Sequence, residues 1–396
     1  MNRRRFLRNA AIAPFLMPGF RLFATAPDQP KFLLVFLRGG YDAANLLIPV
    51  ASNDYYEFRP TIAVARPDAT DINTAIRLDA DWGLHPALRE SIYPLYKNKE
   101  ACFIPFAGTN DASRSHFETQ DRMEAGLPLE TLGEISSGFM NRLSQHLGGV
   151  PISFTDSLPT VFKGQENIAN ISLKGLGKPA FDARQSEVLA SMYAGHPFEP
   201  FVREGLDLRQ EVAREFEKEM QQANRGALSG KGFEIEARRI ARLMRDRYQI
   251  GFVDVGGWDT HINQGAAQGA FANNLNDLGR GLTTFAQEMG SAWKQCVVVV
   301  VSEFGRTFRE NGTRGTDHGH GSVFWVLGGS LGKAGGMVAG RQLVPEGKNL
   351  FQNRDYPVLN EYRAVLAGLF GRLYGFSDKT LDHVFPETMP SDLGLL

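Results

Sequence analysis

The sequence predicts an α/β protein in which a mainly parallel sheet lies between layers of helix. Three observations predict it. Val297 to Val301 are five consecutive β-branched residues, the pattern of a strand covered on both faces. Phe32 to Leu37 (FLLVFL), Ala101 to Phe106 (ACFIPF) and Ile250 to Val255 (IGFVDV) are further apolar runs of strand length. Each of these runs leads into Gly or turn residues and then into Asp, Ser, His or Glu, with helical periodicity in the stretches between. In open parallel sheets such groups converge at the carboxyl ends of the strands, where ligands bind.

A chain of 396 residues with 28 Phe has ample material for a large core. The formal charge is −1. The first 26 residues hold five arginines and no acid, so the rest is more acidic than that figure. This balance gives no nucleic-acid footprint. Residues 1–26 read as a targeting segment. Arg3, Arg4 and Arg5 precede Phe6 and Leu7, a mildly apolar stretch follows, and Ala24-Thr25-Ala26 has the small-x-small form of a cleavage site. RRRFLRN resembles the bacterial twin-arginine signal. The expectation is a periplasmic or otherwise exported protein with no membrane span in the mature chain, residues 27–396, which form one domain. Cys102 and Cys296 open apolar runs and read as two buried thiols.

The first strand, Phe32 to Leu37, ends in Arg38-Gly39-Gly40-Tyr41-Asp42, so Asp42 is either a turn cap or a site carboxylate. His85 precedes Pro86 at the start of a helix running through Leu88, Ile92 and Leu95, either as a cap or as a site residue. Pro105 within ACFIPF weakens that strand. Beyond it comes Ser113-Arg114-Ser115-His116-Phe117-Glu118, where Ser115 and Glu118 have capping-box spacing. Ser115 thus marks a helix N-terminus, either as a plain cap or as a hydroxyl nucleophile near an anion.

Residues 150–250 predict a largely helical insertion. Leu208, Val212, Phe216 and Met220 form one stripe; Phe233, Ala237, Ile240, Met244 and Tyr248 form another. The fourth strand, Ile250 to Val255, leads to Gly256-Gly257-Trp258-Asp259-Thr260-His261. Asp-x-His offers an oxygen and an imidazole at close range, a natural pair for a divalent metal. A long helix from Phe271 to Trp293 leads into the valine strand. After it stand Ser302, Glu303 and Arg306, then Asp317, His318 and His320. Glu303 and Arg306 are either a salt bridge that ends the strand or part of a metal site. Val323 to Leu327 is another strand, and the Gly328–Ala334 stretch lacks the Ser or Thr of a P-loop. Asp42, Ser115, Asp259, His261, Glu303, His318 and His320 can share one pocket, and together they read as metal-assisted ester hydrolysis.

The motifs RGGYDAANLLIP, LHPAL, SRSHFETQDRMEAG, GGWDTH and SEFGRTFRENGTRGTDHGHGS, with the leading RRRFL, resemble an exported bacterial family known as domain of unknown function 1501. That family is similar, more distantly, to the alkaline phosphatase and sulfatase superfamily. The resemblance implies an alkaline-phosphatase-like α/β/α sandwich holding one or two divalent metals and a Ser, Thr or modified Cys nucleophile. It implies Asp42 as a ligand of a second metal and Ser115 as nucleophile, with Ser113 the rival. Asp259 and His261 resemble ligands of the first metal, completed by His318, with His320 the rival and Asp317 beside them. Where the superfamily has Asp-His straight after a strand, this chain has Glu303-Phe304; Phe cannot ligate, so His85 or His116 would have to supply the imidazole. The implied cofactor is a divalent metal, Zn²⁺ first, with Mn, Fe or Ca as rivals. The implied substrate is a small anionic ester, clamped by Arg114 or Arg306. The competing expectation is a non-catalytic protein that keeps the fold and binds an envelope component.

Overall fold

The structure, a computed structural model, describes residues 29–131, 135–173, 183–207 and 232–396. The targeting segment and the Leu208–Met220 stripe lie outside the described residues. Among the described residues eight strands form one sheet: β1 Lys31–Leu37, β2 Ala101–Gly108, β3 Pro151–Ser153, β4 Ala169–Asn170, β5 Ile250–Val255, β6 Cys296–Ser302, β7 Ser322–Gly328 and β8 Asn360–Glu361. Their spatial order is β8-β2-β7-β6-β1-β5-β3-β4. β7 runs antiparallel to both its neighbours, and the other pairs are parallel.

The apolar runs become central strands because both faces of the sheet are covered. Leu33, Val35, Val298 and Val300 point to one core, filled by the helices Phe233–Asp246 and Ala270–Met289. Phe32, Leu34, Phe36, Val297, Val299 and Val301 point to the other, filled by Phe139–His146, Tyr362–Tyr374 and Asp378–Val384. The valine run is 0–3% exposed along its whole length. Each valine so buried contributes roughly 1.5–3 kcal/mol relative to exposure. The result is an α/β/α sandwich with a mainly parallel sheet.

Pro105 is tolerated because the ladder is broken beside it. The β2–β7 register shifts between Ser322 and Val323, and Phe106 takes φ 53°. A residue without an N–H is accommodated at such a bulge. The described parts of residues 150–250 join the sheet and its covering layer. β3 and β4 extend the sheet edge, and Phe233–Asp246 packs on Ala270–Met289 as part of the face layer. Cys102 and Cys296 are buried and unpaired, and burial pushes both thiols up to about 12. Among the described residues no helix is long and apolar enough to cross a membrane.

Register aligns the three strand ends that matter. Leu37 of β1 sits opposite Val255 of β5 on one side and Ser302 of β6 on the other. The segments Arg38–Asp42, Gly256–His261 and Glu303–Arg306 therefore leave the sheet side by side.

Candidate metal centre

Four side chains converge above these strand ends. His261 Nε2 lies 2.9 Å from Asp259 Oδ1 and 3.2 Å from His318 Nε2. His318 Nε2 lies 3.3 Å from Asp259 Oδ1. His116, the first residue of the helix after β2, brings its Nε2 to 2.9 Å from His318 Nε2 and 3.6 Å from Asp259 Oδ2. Donors bound tetrahedrally to one ion at ~2.0–2.1 Å stand about 3.3 Å apart. These separations are of that order. The ligand atoms of His116, Asp259 and His318 all lie within 4.8 Å of one another, and two imidazoles with one carboxylate suit a zinc-type ion. His261 stands beside them, with its Nε2 also 3.4 Å from Arg306 Nη1. The set fits calcium poorly, because calcium takes oxygen ligands.

The outward nitrogens carry the stronger argument. His116 Nδ1 lies 2.7 Å from Glu303 Oε1, His261 Nδ1 3.3 Å from Asp317 Oδ1, and His318 Nδ1 3.0 Å from the Arg114 carbonyl. Each acceptor fixes the proton on Nδ1 and leaves the Nε2 lone pair to face inward, where that of His261 also meets Arg306 Nη1 at 3.4 Å. Metal-bound imidazoles are held in this way. Two facing nitrogens 2.9 Å apart cannot both be bare lone pairs, so a proton or a cation lies between them. The bond to Glu303 raises the His116 pKa, whereas burial and the neighbouring His116 lower that of His318.

Glu303 is thus placed behind His116 rather than among the converging atoms. Its Oε1 accepts from His116, from the Gly39 N–H at 2.8 Å and from Gln120 Nε2 at 2.8 Å; its Oε2 accepts from Ser302 Oγ at 2.9 Å. Burial alone would raise its pKa, but the donors from His116, Gln120 and Gly39 hold it below the usual carboxylate value. Gly39 has φ 121°, and a Cβ there would stand 2.7 Å from the Asp259 nitrogen, so only glycine lets this turn close on the site. Phe304 packs beneath the imidazoles, with ring centroids 4.9 Å from His116 and 5.2 Å from His318. Of the two other histidines considered for that imidazole, His116 reaches the cluster and His85 does not.

Other expected residues are placed elsewhere. Asp42 is fully buried and held by Arg59 Nη1 at 2.6 Å and Nη2 at 3.0 Å, with Gln264 Nε2 at 2.6 Å. Its oxygens are spent on those donors, and it does not join the cluster. His85 is buried at the start of a 3₁₀ turn, where its Nδ1 accepts from the Ala87 N–H and its Nε2 faces the Ala266 carbonyl. Burial lowers its pKa to about 4. His320 is buried and stacks on Phe351 at 4.4 Å, away from the three converging nitrogens. Asp317 orients His261 and accepts from Asn311 Nδ2 at 3.0 Å, the contact that most lowers its pKa.

The two expected anion clamps are already engaged. Arg306 is buried against Asp259, and its guanidinium holds the Asp259 pKa down against the opposing effect of burial. Arg114 binds Asp355 at 2.7 Å. Ser115 is the N-cap residue, but its hydroxyl makes no capping bond, so the expected capping box does not form. Ser113 Oγ is bound to Asp111 at 3.1 Å and Thr119 at 3.2 Å. Sequence reasoning missed Gln120, although its spacing of four residues from His116 puts both on one helix face. It also missed Arg59 and Gln264, for which no local pattern gave a signal.

No curated protein matches this sequence. Among solved structures, the chain is similar to a protein in the alkaline phosphatase superfamily from Vibrio parahaemolyticus. The identity is 12% and the TM-score 0.35, over 76% of this chain and 60% of that one, so the chain spans less than two thirds of that protein. It is also similar to Ps i-CgsB, both in complex with k-i-k-neocarrahexaose and alone. The identity is 10% in each case, with TM-scores of 0.37 and 0.36, over 89% and 91% of this chain and 74% and 75% of the other. The model of one family, protein of unknown function (DUF1501), matches residues 29–389, and the chain belongs to that family.

Proposed function

We propose that this chain is an exported metal-dependent hydrolase of phosphate or sulfate esters, built around a single divalent cation. The observation that carries the metal reading is the paired use of both nitrogens in three histidines. His116, His261 and His318 each give Nδ1 to an oxygen acceptor and turn Nε2 towards Asp259, and the ligand atoms of His116, Asp259 and His318 all lie within 4.8 Å of one another. A bound cation would polarise the ester oxygen and lower the pKa of the attacking hydroxyl or water. The chain's own residues supply the rest. Glu303 and Asp317 hold two imidazoles in the ligating tautomer, and Arg306 keeps Asp259 ionised. Ser115, partly exposed, uncapped and next in sequence to His116, is the hydroxyl best suited to attack.

One observation favours a second reading, a non-catalytic protein that binds an envelope ligand or protein partner. Arg114 and Arg306, the expected anion clamps, are both paired with carboxylates. Two measurements on the full-length chain separate the readings. Elemental analysis should find about one zinc-type ion per chain in the wild type and none in His261→Ala. A panel of aryl phosphates and sulfates with the metal-loaded protein should then show turnover. Metal without turnover of any ester supports the binding protein, and no metal removes both the cation and the hydrolase. Export is checked by changing Arg4 and Arg5 to Lys, which should retain the precursor in the cytoplasm.

A further inference from the structure

We infer that Gln264 is a positioning residue for the candidate metal centre, fixing the loop that carries Asp259 and His261 against the loop that carries His318. This inference rests on the metal reading above. The Gln264 side chain is fully buried and its amide makes three hydrogen bonds. Its Oε1 accepts from Thr260 Oγ1 at 3.0 Å and from Thr316 Oγ1 at 3.1 Å. Its Nε2 donates to Asp42 Oδ2 at 2.6 Å. Thr260 lies between Asp259 and His261, and Thr316 lies two residues before His318. One amide thus holds residues within two positions of Asp259, His261 and His318.

The chemistry requires an amide of this length. The position needs an acceptor for two hydroxyls and a donor for a carboxylate at once. A carboxylate cannot donate to Asp42, and an apolar side chain would leave the hydroxyls of Thr260 and Thr316 without their acceptor. The anchor behind Gln264 is rigid. Asp42 is held by both Nη atoms of Arg59, whose Nε and Nη2 also donate to the carbonyls of Phe308 at 2.7 Å and Thr307 at 2.8 Å. The two loops are in direct contact as well. Thr316 N–H donates to Thr260 O at 3.2 Å, and a Cβ on Gly315 would stand 2.3 Å from the His261 carbonyl. The 3.2 Å separation of His261 Nε2 and His318 Nε2 is a distance between these two loops, and Gln264 sets their register. Asp42 therefore reaches the metal centre through Gln264 and binds no ion itself.

The test uses cobalt(II) in the full-length chain, read by its visible d–d bands and by calorimetric affinity rather than by turnover. Gln264→Leu should weaken cobalt binding by about 10–100-fold, the usual cost of losing an outer support of metal ligands, and should shift the d–d bands. Thr316→Val, a milder change, should move affinity and spectrum in the same direction and serves if Gln264→Leu does not fold. Val298→Ala in β6 is the control for general destabilisation; it should lower stability and leave the spectrum unchanged. Unaltered affinity and bands in Gln264→Leu and Thr316→Val would overturn the inference, as would an equal spectral shift in Val298→Ala. No cobalt binding by the wild type would remove the metal reading itself, and this inference with it.

Discussion

His116 Nδ1 and Glu303 Oε1 lie 2.7 Å apart although 187 positions separate the two residues in the chain. The bond joins the helix after β2 to the end of β6 and fixes the ring that completes the cluster. Glu303→Gln keeps the volume but removes the charge that stabilises His116 as a donor. Metal affinity should fall about 10–100-fold, measured by competition with a chromophoric chelator. Unchanged affinity in Glu303→Gln, with the fold intact, would show that Glu303 only ends the strand.

Ser115 separates enzyme from binder. Its hydroxyl caps nothing, so Ser115→Ala should keep stability within about 0.5 kcal/mol, as for an ordinary surface change. If the hydroxyl attacks the ester, the same variant loses turnover of aryl phosphates and sulfates while retaining its metal. Equal rates in wild type and Ser115→Ala pass the attack to water.

Asp42 and Arg59 form a buried ion pair with side chains 1% and 0% exposed. Removing one partner leaves a buried charge unpaired, at a cost of about 3–5 kcal/mol. Asp42→Ala should therefore lower the urea midpoint sharply, and Asp42→Ala combined with Arg59→Met should recover much of the loss. A single variant less than about 1 kcal/mol below wild type would mean that solvent reaches Arg59.

His85 gives the chain an acid-sensitive element. Burial lowers its pKa from 6.5 to about 4 in the native state. Between these values the unfolded chain binds the proton and the native chain does not. Stability contributed by this group is present above pH 6.5 and is lost as the pH falls towards 4. The span of the shift corresponds to about 3 kcal/mol in all. Urea unfolding of metal-free wild type and His85→Gln across that range should show the wild type losing more stability than the variant on acidification. Parallel pH profiles would contradict the burial argument.

The sequence by itself determined the frame. Strands covered on both faces are apolar, so β1 and β6 are legible as uninterrupted runs, and β5 and β7 as shorter ones. Parallel strands share an orientation, so the residues just past their ends, Asp259 and His261 above all, are legible as neighbours in space. His318 follows from the same logic as a loop residue returning to that edge. Pairing was not legible. Whether Asp42 faces an ion or Arg59, and whether Glu303 ligates or orients, depends on which donor reaches the carboxylate first across register and loop packing. Arg59 lies 17 residues from Asp42 and His116 lies 187 from Glu303, separations at which local periodicity carries no information. Ser115 shows the same limit at short range, since its spacing from Glu118 permits a capping box that the folded backbone does not form. Burial pattern is a property of single residues and survives in one dimension. The partner of a polar group is a property of two residues, and only the tertiary structure brings the two together.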